Sequence, residues 1–239
     1  MVEADDDPVF RPPEQSKLHA VGTRHPDFSA TTNRAGRLQP SMFGHGDVGF
    51  FDRIAPLYDA FMPPARAEDL RAGLAFAHRP IERVVDLGGG TGRASRTLRT
   101  AGLDPVVFDY SAGMLRRARD YEIPGVRADA ATLPIRDASV DAIVVTDALH
   151  HFPDPGAAVR EAARALAPGG VLVVREFDPS TRRGRALATL ESVARMDSQF
   201  FDAETLAATF DDAGLRGHVV DPGFGYTVAG VKPTAERGR

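Results

Sequence analysis

The clearest pattern in the chain is an alternation of short apolar runs with stretches of helical period, beginning near residue 83. The runs have the length of buried strands, and the stretches between them have the length of helices. This rhythm predicts βαβ units, and therefore an α/β fold with a doubly wound, mostly parallel sheet. The predicted strands are Arg83–Leu87, Pro105–Asp109, Gly125–Ala128, Asp141–Thr146 and Val171–Phe177, and the predicted helices are Arg93–Ala101, Ala112–Tyr121 and Gly156–Leu166.

Apolar residues also recur at three- and four-residue spacings over residues 50–61. This spacing places one apolar stripe on a helix, which the rigid rings of Pro63 and Pro64 would end. A second helix is predicted near Ala67–Ala77. Two helices are therefore expected ahead of the first strand.

The end of the chain has a different pattern, with a predicted helix over Ala203–Ala213 followed by two apolar runs. The runs, His218–Asp221 and Tyr226–Val231, are separated by the sequence Pro-Gly-Phe-Gly, whose residues favour a turn. We therefore predict that a C-terminal antiparallel hairpin strand completes the sheet.

Residues 1–45 contain five prolines and no apolar period that could bury one face. We predict a flexible N-terminal arm over residues 1–45 and a single domain over residues 46–239.

The most informative segment is a glycine-rich turn that follows the first predicted strand. Glycines 88, 90 and 92 lie between this strand and a predicted helix, where the missing Cβ atoms let a ligand approach backbone N–H groups. Asp86 precedes them, and its carboxylate would repel a pyrophosphate. We therefore expect Gly88, Gly90 and Gly92 to surround a ligand that carries positive charge.

Two other glycine motifs fit the turn less well. A dinucleotide fingerprint would place its third glycine at position 93, where the chain has Arg93, and a P-loop would need a nearby lysine. A tight turn that needs glycine only for its geometry stays an alternative.

The next two predicted strands also end in acidic residues. Asp109 stands 23 residues after Asp86, at the position where doubly wound folds commonly hold two ribose hydroxyls. Asp129 and Ala130 follow the third strand, where a carboxylate and a backbone N–H could pair with adenine. The three acids in this order predict a nucleoside-containing ligand, although each alone could be a solvated strand end.

With these features the sequence resembles the class I S-adenosylmethionine-dependent methyltransferases, which have a Rossmann-like fold. Residues 86–92, Asp-Leu-Gly-Gly-Gly-Thr-Gly, match the glycine motif of that family, and residues 109–115 resemble its second motif. Residues 141–152 and 166–172 resemble its later motifs. Residues 51–59 and the Gly-Gly-Thr-Gly loop look most like the ubiquinone/menaquinone C-methyltransferase branch, whereas residues 149–152 differ from that branch.

The resemblance implies S-adenosylmethionine as cofactor and no metal. It implies that Asp86 lies near the ammonium end, that Thr91 lies beside the methionine carboxylate, and that Tyr58 covers the methionine end. It further implies that Asp109 binds ribose, that Met114 packs on adenine, and that Thr146 borders the transferred methyl.

If the methyl acceptor is a phenol or hydroquinone, a base would raise the electron density at the attacking ring carbon. His150 and His151 follow the fourth predicted strand together with Asp147, and histidine titrates near neutral pH. Adjacent side chains do not both face one cavity well. We predict that His150, with Asp147, is catalytic and that His151 is a packed or capping residue.

Composition limits the partners. The net charge of −4 provides no positive field for nucleic acid, and the absence of cysteine excludes thiolate and disulfide chemistry.

The N-terminal sequence lacks the pattern of a secretory signal, so we predict a cytoplasmic protein that acts on a small-molecule methyl acceptor. Membrane contact is expected to be peripheral at most, and only for a lipid quinone. A nucleotide-dependent oxidoreductase and a cofactor-binding protein without turnover are the alternatives.

Overall fold

The computed structural model describes residues 47–62, 65–193 and 198–234. The arm predicted for residues 1–45 lies outside the described residues.

The core of the structure is a seven-stranded sheet with the order β3-β2-β1-β4-β5-β7-β6. The first five strands are parallel, and β7 is inserted antiparallel between β5 and β6. The predicted α/β fold and the C-terminal antiparallel hairpin are therefore confirmed. The strands are β1 Val84–Leu87, β2 Val106–Asp109, β3 Gly125–Arg127, β4 Val140–Thr146, β5 Leu166–Phe177, β6 Arg216–Asp221 and β7 Gly225–Val231.

Helices cover both faces of the sheet because successive strand residues point to opposite sides. Val85 belongs to the core cluster that also contains residues of α5 and α7, whereas Val84 belongs to the cluster with residues of α2 and α3. The helices are α1 Val48–Phe61, α2 Ala67–Leu74, α3 Arg93–Thr100, α4 Ala112–Asp120, α5 Pro155–Ala165, α6 Arg182–Val193 and α7 Ala203–Asp212.

Strand β5 begins five residues earlier than predicted, at Leu166 instead of Val171. Val140 pairs with Leu166, but Ala142 pairs with Val171, so the register shifts within the Pro-Gly-Gly segment. Gly169 has a left-handed φ of 79°, which lets the chain bulge out of the ladder and return. The turn signal in the sequence therefore produces an irregularity inside the strand.

Helix α1 lies against α4. The Oδ1 atom of Asp52 accepts hydrogen bonds from the Ser111 hydroxyl at 2.6 Å and from the Gly113 N–H at 2.7 Å. A Cβ at Gly113 would lie 2.8 Å from that same oxygen, so only glycine permits this approach. These contacts hold α1 beside the carboxyl ends of the parallel strands.

No helix in the described part of the chain is long and apolar enough to cross a membrane.

Candidate active site

A cavity opens at the carboxyl edge of the parallel strands, beneath α1. It contains about 1090 Å³ of empty space, including the part open to solvent. The ends of β1, β2 and β4 form its floor, and Phe51 and Tyr58 of α1 lie along its wall. We call it the carboxyl-edge cavity.

The glycine loop between β1 and α3 adopts the backbone that the sequence predicts. Gly88, Gly90 and Gly92 have φ values of 67°, 56° and 79°, in the left-handed region that favours glycine. A Cβ at Gly88 would lie 2.9 Å from the ring of Phe152. Gly88 and Gly90 line the cavity, whereas Gly92 is the N-cap of α3 and does not.

Asp86 is fully buried at the base of this loop. Its Oδ2 accepts hydrogen bonds from the backbone N–H of Ser95 at 3.0 Å and from the Ser95 hydroxyl at 2.7 Å. Its Oδ1 is buried and has no hydrogen-bond partner among the described residues. Burial raises the pKa of Asp86 to about 6, although the Ser95 hydrogen bonds oppose the rise. A cationic ligand group in the cavity would stabilise the charged carboxylate.

Asp109 connects the two loops that follow β1 and β2. Its Oδ2 accepts the Gly90 N–H at 2.8 Å, and its Oδ1 accepts the Ser111 N–H at 2.7 Å. Its enclosed position raises the pKa to about 6, against the effect of these two hydrogen bonds. Met114 lines the cavity nearby, one turn into α4. The predicted ribose and adenine residues therefore lie together.

Asp129, Ala130 and Thr146 also line the cavity, and their roles in cofactor binding stay predictions. The carboxylate of Asp129 accepts the backbone N–H of Ala131 at 2.9 Å. The hydroxyl oxygen of Thr146 is buried and has no hydrogen-bond partner in the described residues. The cavity thus offers a second polar atom that a ligand could satisfy.

Thr91 is turned away from the cavity, contrary to the sequence prediction. It is buried at the back of the loop, and its hydroxyl donates to Asp59 Oδ1 of α1 at 2.7 Å. The guanidinium of Arg96 lies 3.1 Å from the same carboxylate oxygen. Thr91 therefore joins the glycine loop to α1.

Arg93 also lines the cavity, although no binding role is predicted for it from the sequence. It is almost fully buried, its Nη2 lies 3.3 Å from Asp147 Oδ2, and its guanidinium carbon lies 5.5 Å from the centre of the Tyr58 ring. A cation in the first turn of α3 is opposed by the helix dipole. An arginine at the start of a predicted helix is therefore the feature of the sequence that indicates a specific acidic partner for Arg93.

Tyr58 lines the cavity, and its contact with the methionine end of the cofactor stays a prediction. Burial raises the pKa of its hydroxyl above the usual value, and the nearby Arg93 partly opposes this effect. The phenol therefore stays protonated at neutral pH and can donate a hydrogen bond.

Asp147 lines the cavity in a left-handed conformation, with φ of 51°. Its carboxylate is paired with Arg93 and also accepts a hydrogen bond from Arg175, whose Nε lies 3.6 Å from Asp69. Two guanidinium groups therefore hold the Asp147 carboxylate in place beside the cavity. The geometry supports a role in holding Arg93.

His150 and His151 have orientations opposite to those predicted. His151 lines the cavity, whereas His150 is buried outside the lining, with Nδ1 2.5 Å from Glu176 Oε2. The ring of His150 also stacks near Phe200, with a centroid distance of 5.4 Å. The catalytic role of either histidine stays a prediction.

Glu176 of β5 fixes the turn that carries both histidines. Its Oε1 accepts the backbone N–H groups of Ala148 at 3.1 Å and Leu149 at 2.8 Å. Burial alone would raise the pKa of Glu176, but His150 and these hydrogen bonds outweigh it and hold the pKa below its usual value. The charged carboxylate therefore orders the segment after β4.

Comparison with known proteins identifies the family. A family model described as a methyltransferase domain matches residues 85–174. The demethylmenaquinone methyltransferase of Mycobacterium sp. (strain KMS) is 36% identical over 199 residues, which cover 75% of this chain and 86% of that protein. The demethylmenaquinone methyltransferase of Renibacterium salmoninarum is 37% identical over 196 residues, covering 74% of this chain and 83% of that protein.

Two solved structures share the fold. A SAM-dependent methyltransferase from Thermotoga maritima has a TM-score of 0.62 and 24% identity, covering 76% of this chain and 97% of its own. The [4+2]-cyclase SpnF has a TM-score of 0.63 and 20% identity, covering 84% of this chain and all of its own. The sequence relatives confirm the resemblance seen in the motifs: the chain belongs to the class I S-adenosylmethionine-dependent methyltransferases, in the branch that contains the demethylmenaquinone methyltransferases.

Proposed function

We propose that this protein binds S-adenosylmethionine in the carboxyl-edge cavity and methylates a ring carbon of a quinol. The observation that carries the cofactor assignment is the buried Oδ1 of Asp86 beside the glycine loop, which has no hydrogen-bond partner in the described part of the chain. A buried anionic oxygen without a donor is costly, and a cationic ammonium group would remove that cost. The names of the sequence relatives support the choice of a quinol.

The residues of the cavity fit the remaining parts of this cofactor. Asp109 would accept hydrogen bonds from the ribose hydroxyls, and Met114 would pack on the adenine. Asp129 would accept from the exocyclic amine, while the Ala130 N–H would donate to a ring nitrogen. Arg93 would pair with the methionine carboxylate in place of part of its contact with Asp147.

When bound, the cofactor supplies a methyl group already activated by its sulfonium, so the protein must position the acceptor and exclude water. Phe51 and Tyr58 form an aromatic wall on this side of the cavity, with ring centroids 6.3 Å apart. This wall suits a flat aromatic acceptor. Thr146 would lie beside the methyl group to be transferred.

The same residues argue against a dinucleotide cofactor. Asp86 and Asp109 both lie in the lining and would repel a pyrophosphate, while the loop has Arg93 where the dinucleotide fingerprint has its third glycine. We further propose a cytoplasmic location, with peripheral membrane contact when the quinol carries a lipid tail.

Two measurements test this function. Calorimetry should show micromolar dissociation constants for S-adenosylmethionine and S-adenosylhomocysteine, about −8 kcal/mol, and no isotherm with NAD. Incubation with methyl-labelled cofactor and a reduced 1,4-naphthoquinone should give a product labelled on a ring carbon by mass spectrometry. Binding of NAD alone would contradict the cofactor assignment. Labelling of a catechol or an amine, but not of the naphthoquinol, would contradict the acceptor assignment.

A further inference from the structure

A group of exposed cations begins helix α6, directly after strand β5. Arg182, Arg183 and Arg185 are exposed, and none of them forms an ion pair with another described residue. Arg185 donates a hydrogen bond to the Ser180 carbonyl, a neutral partner that does not cancel its charge. Three positive charges are therefore concentrated here in a chain whose net charge is −4.

The turn between β6 and β7 places an exposed aromatic ring beside these cations. The Asp178 N–H, just after β5, donates to the Phe224 carbonyl at 2.7 Å. The first turn of α6 packs on the same residue, since a Cβ at Gly184 would lie 1.8 Å from the Asp178 carbonyl oxygen. Phe224 is 39% exposed, and its ring lies 6.4 Å from that of Phe177. We call the exposed surface formed here the arginine–phenylalanine patch, which consists of Arg182, Arg183, Arg185 and Phe224.

The patch lies at the same edge of the sheet as the carboxyl-edge cavity. Phe177 ends β5 and pairs with Gly225, the first residue of β7, so α6 and the turn both lie where the parallel strands end. Strands β5 and β7 follow β4 in the sheet, and the end of β4 forms part of the cavity floor. Helix α1 covers the same edge and exposes 62% of Leu57, the largest value for a big apolar side chain in the described part of the chain.

Two carboxylates neighbour the patch. Asp178 is half-buried, and its Oδ1 accepts the Ser180 N–H at 2.7 Å, whereas Asp221 is exposed at the end of β6. The three arginines outnumber these two acids, so the patch keeps a positive charge. Cations around an exposed aromatic ring suit an anionic bilayer, because guanidinium groups pair with lipid phosphates while the ring enters the interface.

We propose that the arginine–phenylalanine patch docks the protein on an anionic lipid bilayer and turns the opening of the cavity toward that surface. The inference rests on the proposed function for its purpose, because a quinol with a lipid tail resides in the bilayer. The arginines would contact the lipid phosphates, and Phe224 would lie among the headgroups. The tail of such an acceptor would stay in the lipid while its ring enters the cavity.

Binding of the full chain to lipid vesicles tests the docking without cofactor or turnover. The protein should sediment at low salt with vesicles that contain phosphatidylglycerol but not with phosphatidylcholine alone, and high salt should release it. Replacing Arg182, Arg183 and Arg185 together with Gln should weaken binding at least about tenfold, since each arginine near an anionic surface contributes roughly fivefold. Equal binding to both kinds of vesicle, or by the parent and the triple variant, overturns the inference whether or not the acceptor is a quinol.

Two matched controls separate the patch from a general effect of charge or hydrophobicity. Arg119, Arg136 and Arg216 are also exposed but lie at the amino edge of the sheet, and their triple Gln variant should bind like the parent. Phe224→Ser should weaken binding severalfold, whereas Val219→Ser, at a side chain 37% exposed within β6, should not. Equal losses from the two triple variants would show an effect of net charge alone and contradict the patch.

Rate measurements distinguish docking from a role inside the cavity. With a polyprenyl-tailed naphthoquinol held in the anionic vesicles, the triple variant of the patch should raise the apparent KM about tenfold. With the tail-free naphthoquinol in solution, its kcat and KM should equal those of the parent, as should its affinity for S-adenosylmethionine. An equal loss with both acceptors would mean that these arginines act on the acceptor ring, and the docking inference would be wrong. A protein that binds anionic vesicles through the patch but methylates neither quinol would support the docking and contradict the proposed function.

Discussion

The hydroxyl of Thr91 donates a hydrogen bond to Asp59 Oδ1 across 2.7 Å and thereby connects the glycine loop to helix α1. Nη2 of Arg96 lies 3.1 Å from Oδ1 of Asp59, and Nε of Arg117 lies 3.5 Å from its Oδ2. Burial tends to raise the pKa of Asp59, but Thr91 and Arg96 outweigh it and the pKa is lowered. The Asp59 carboxylate therefore links α1 to the glycine loop and to helices α3 and α4.

Thr91→Val is expected to lower the free energy of unfolding by about 2 kcal/mol, because a hydrogen bond to a charged acceptor is lost at constant shape. Urea denaturation at neutral pH measures this loss. Thr209→Val is the matched control, since the Thr205 carbonyl on the surface of α7 is the only partner of its hydroxyl among the described residues. Equal effects of the two substitutions would show that the contact with Asp59 does not stabilise α1.

Asp86→Asn is expected to stabilise the protein while weakening the binding of S-adenosylmethionine. The amide keeps an oxygen for the Ser95 donors and removes a buried charge, which should add about 2 kcal/mol at pH 8. The affinity should fall at least tenfold, because the ammonium group loses its anionic partner. Urea denaturation and calorimetry give the two numbers. Ser95→Ala, the control for the Oδ2 hydrogen bonds, should destabilise instead.

Cofactor affinity is expected to depend on pH through Asp86. Its pKa of about 6 means that the carboxyl is largely protonated at pH 5, and a cationic ligand must displace that proton. The dissociation constant should therefore be about tenfold higher at pH 5 than at pH 7, and level above pH 7. Calorimetry in two buffers of different ionisation enthalpy would detect the released proton. The same series with Asp86→Asn should lose most of this dependence.

The stability of the ligand-free protein should change in the opposite direction over the same range. Asp86 and Asp109 both have raised pKa values of about 6, so the folded state binds more protons than the unfolded state between about pH 4 and pH 6. Their contribution to stability is present at pH 4 and is lost as pH rises to 6. Comparing urea denaturation of the parent and of Asp109→Asn at pH 5 and pH 7 isolates this contribution. Identical pH dependence in both proteins would contradict it.

Deletion of residues 1–45 is expected to leave the melting temperature within about 3 °C of the parent, because their sequence has no apolar period to bury. Differential scanning calorimetry measures the change. A large fall, or precipitation, would show that this segment packs on the domain. Lost turnover with unchanged melting would instead indicate a role at the cavity.

The sequence predicts the acidic strand ends well because their placement depends on short-range pattern. Apolar runs show where each strand ends, and parallel strands place their carboxyl ends at one edge. Asp86, Asp109 and Asp129 therefore had to lie together once the βαβ rhythm was recognised. The glycine loop follows from the same reasoning, since its left-handed residues occur directly after a strand.

The orientations of Thr91 and of the two histidines were not predictable in this way. Thr91 faces Asp59, which lies 32 residues earlier in the chain, and His150 faces Glu176, which lies 26 residues later. Such partners are fixed by tertiary packing, which spacing along the chain does not report. Tyr226 of β7 has a distant partner as well: it is buried in the core, and its hydroxyl donates to the Phe201 carbonyl at 2.9 Å.

Helix α1 places both Phe51 and Tyr58 in the lining of the carboxyl-edge cavity. A ligand whose binding stabilises α1 in this position therefore also stabilises the cavity wall that the other ligand contacts. Thermodynamic reciprocity then requires cofactor and acceptor to raise each other's affinity by the same factor. Substitutions on α1 selected for a new acceptor would consequently change the working concentration of cofactor as well.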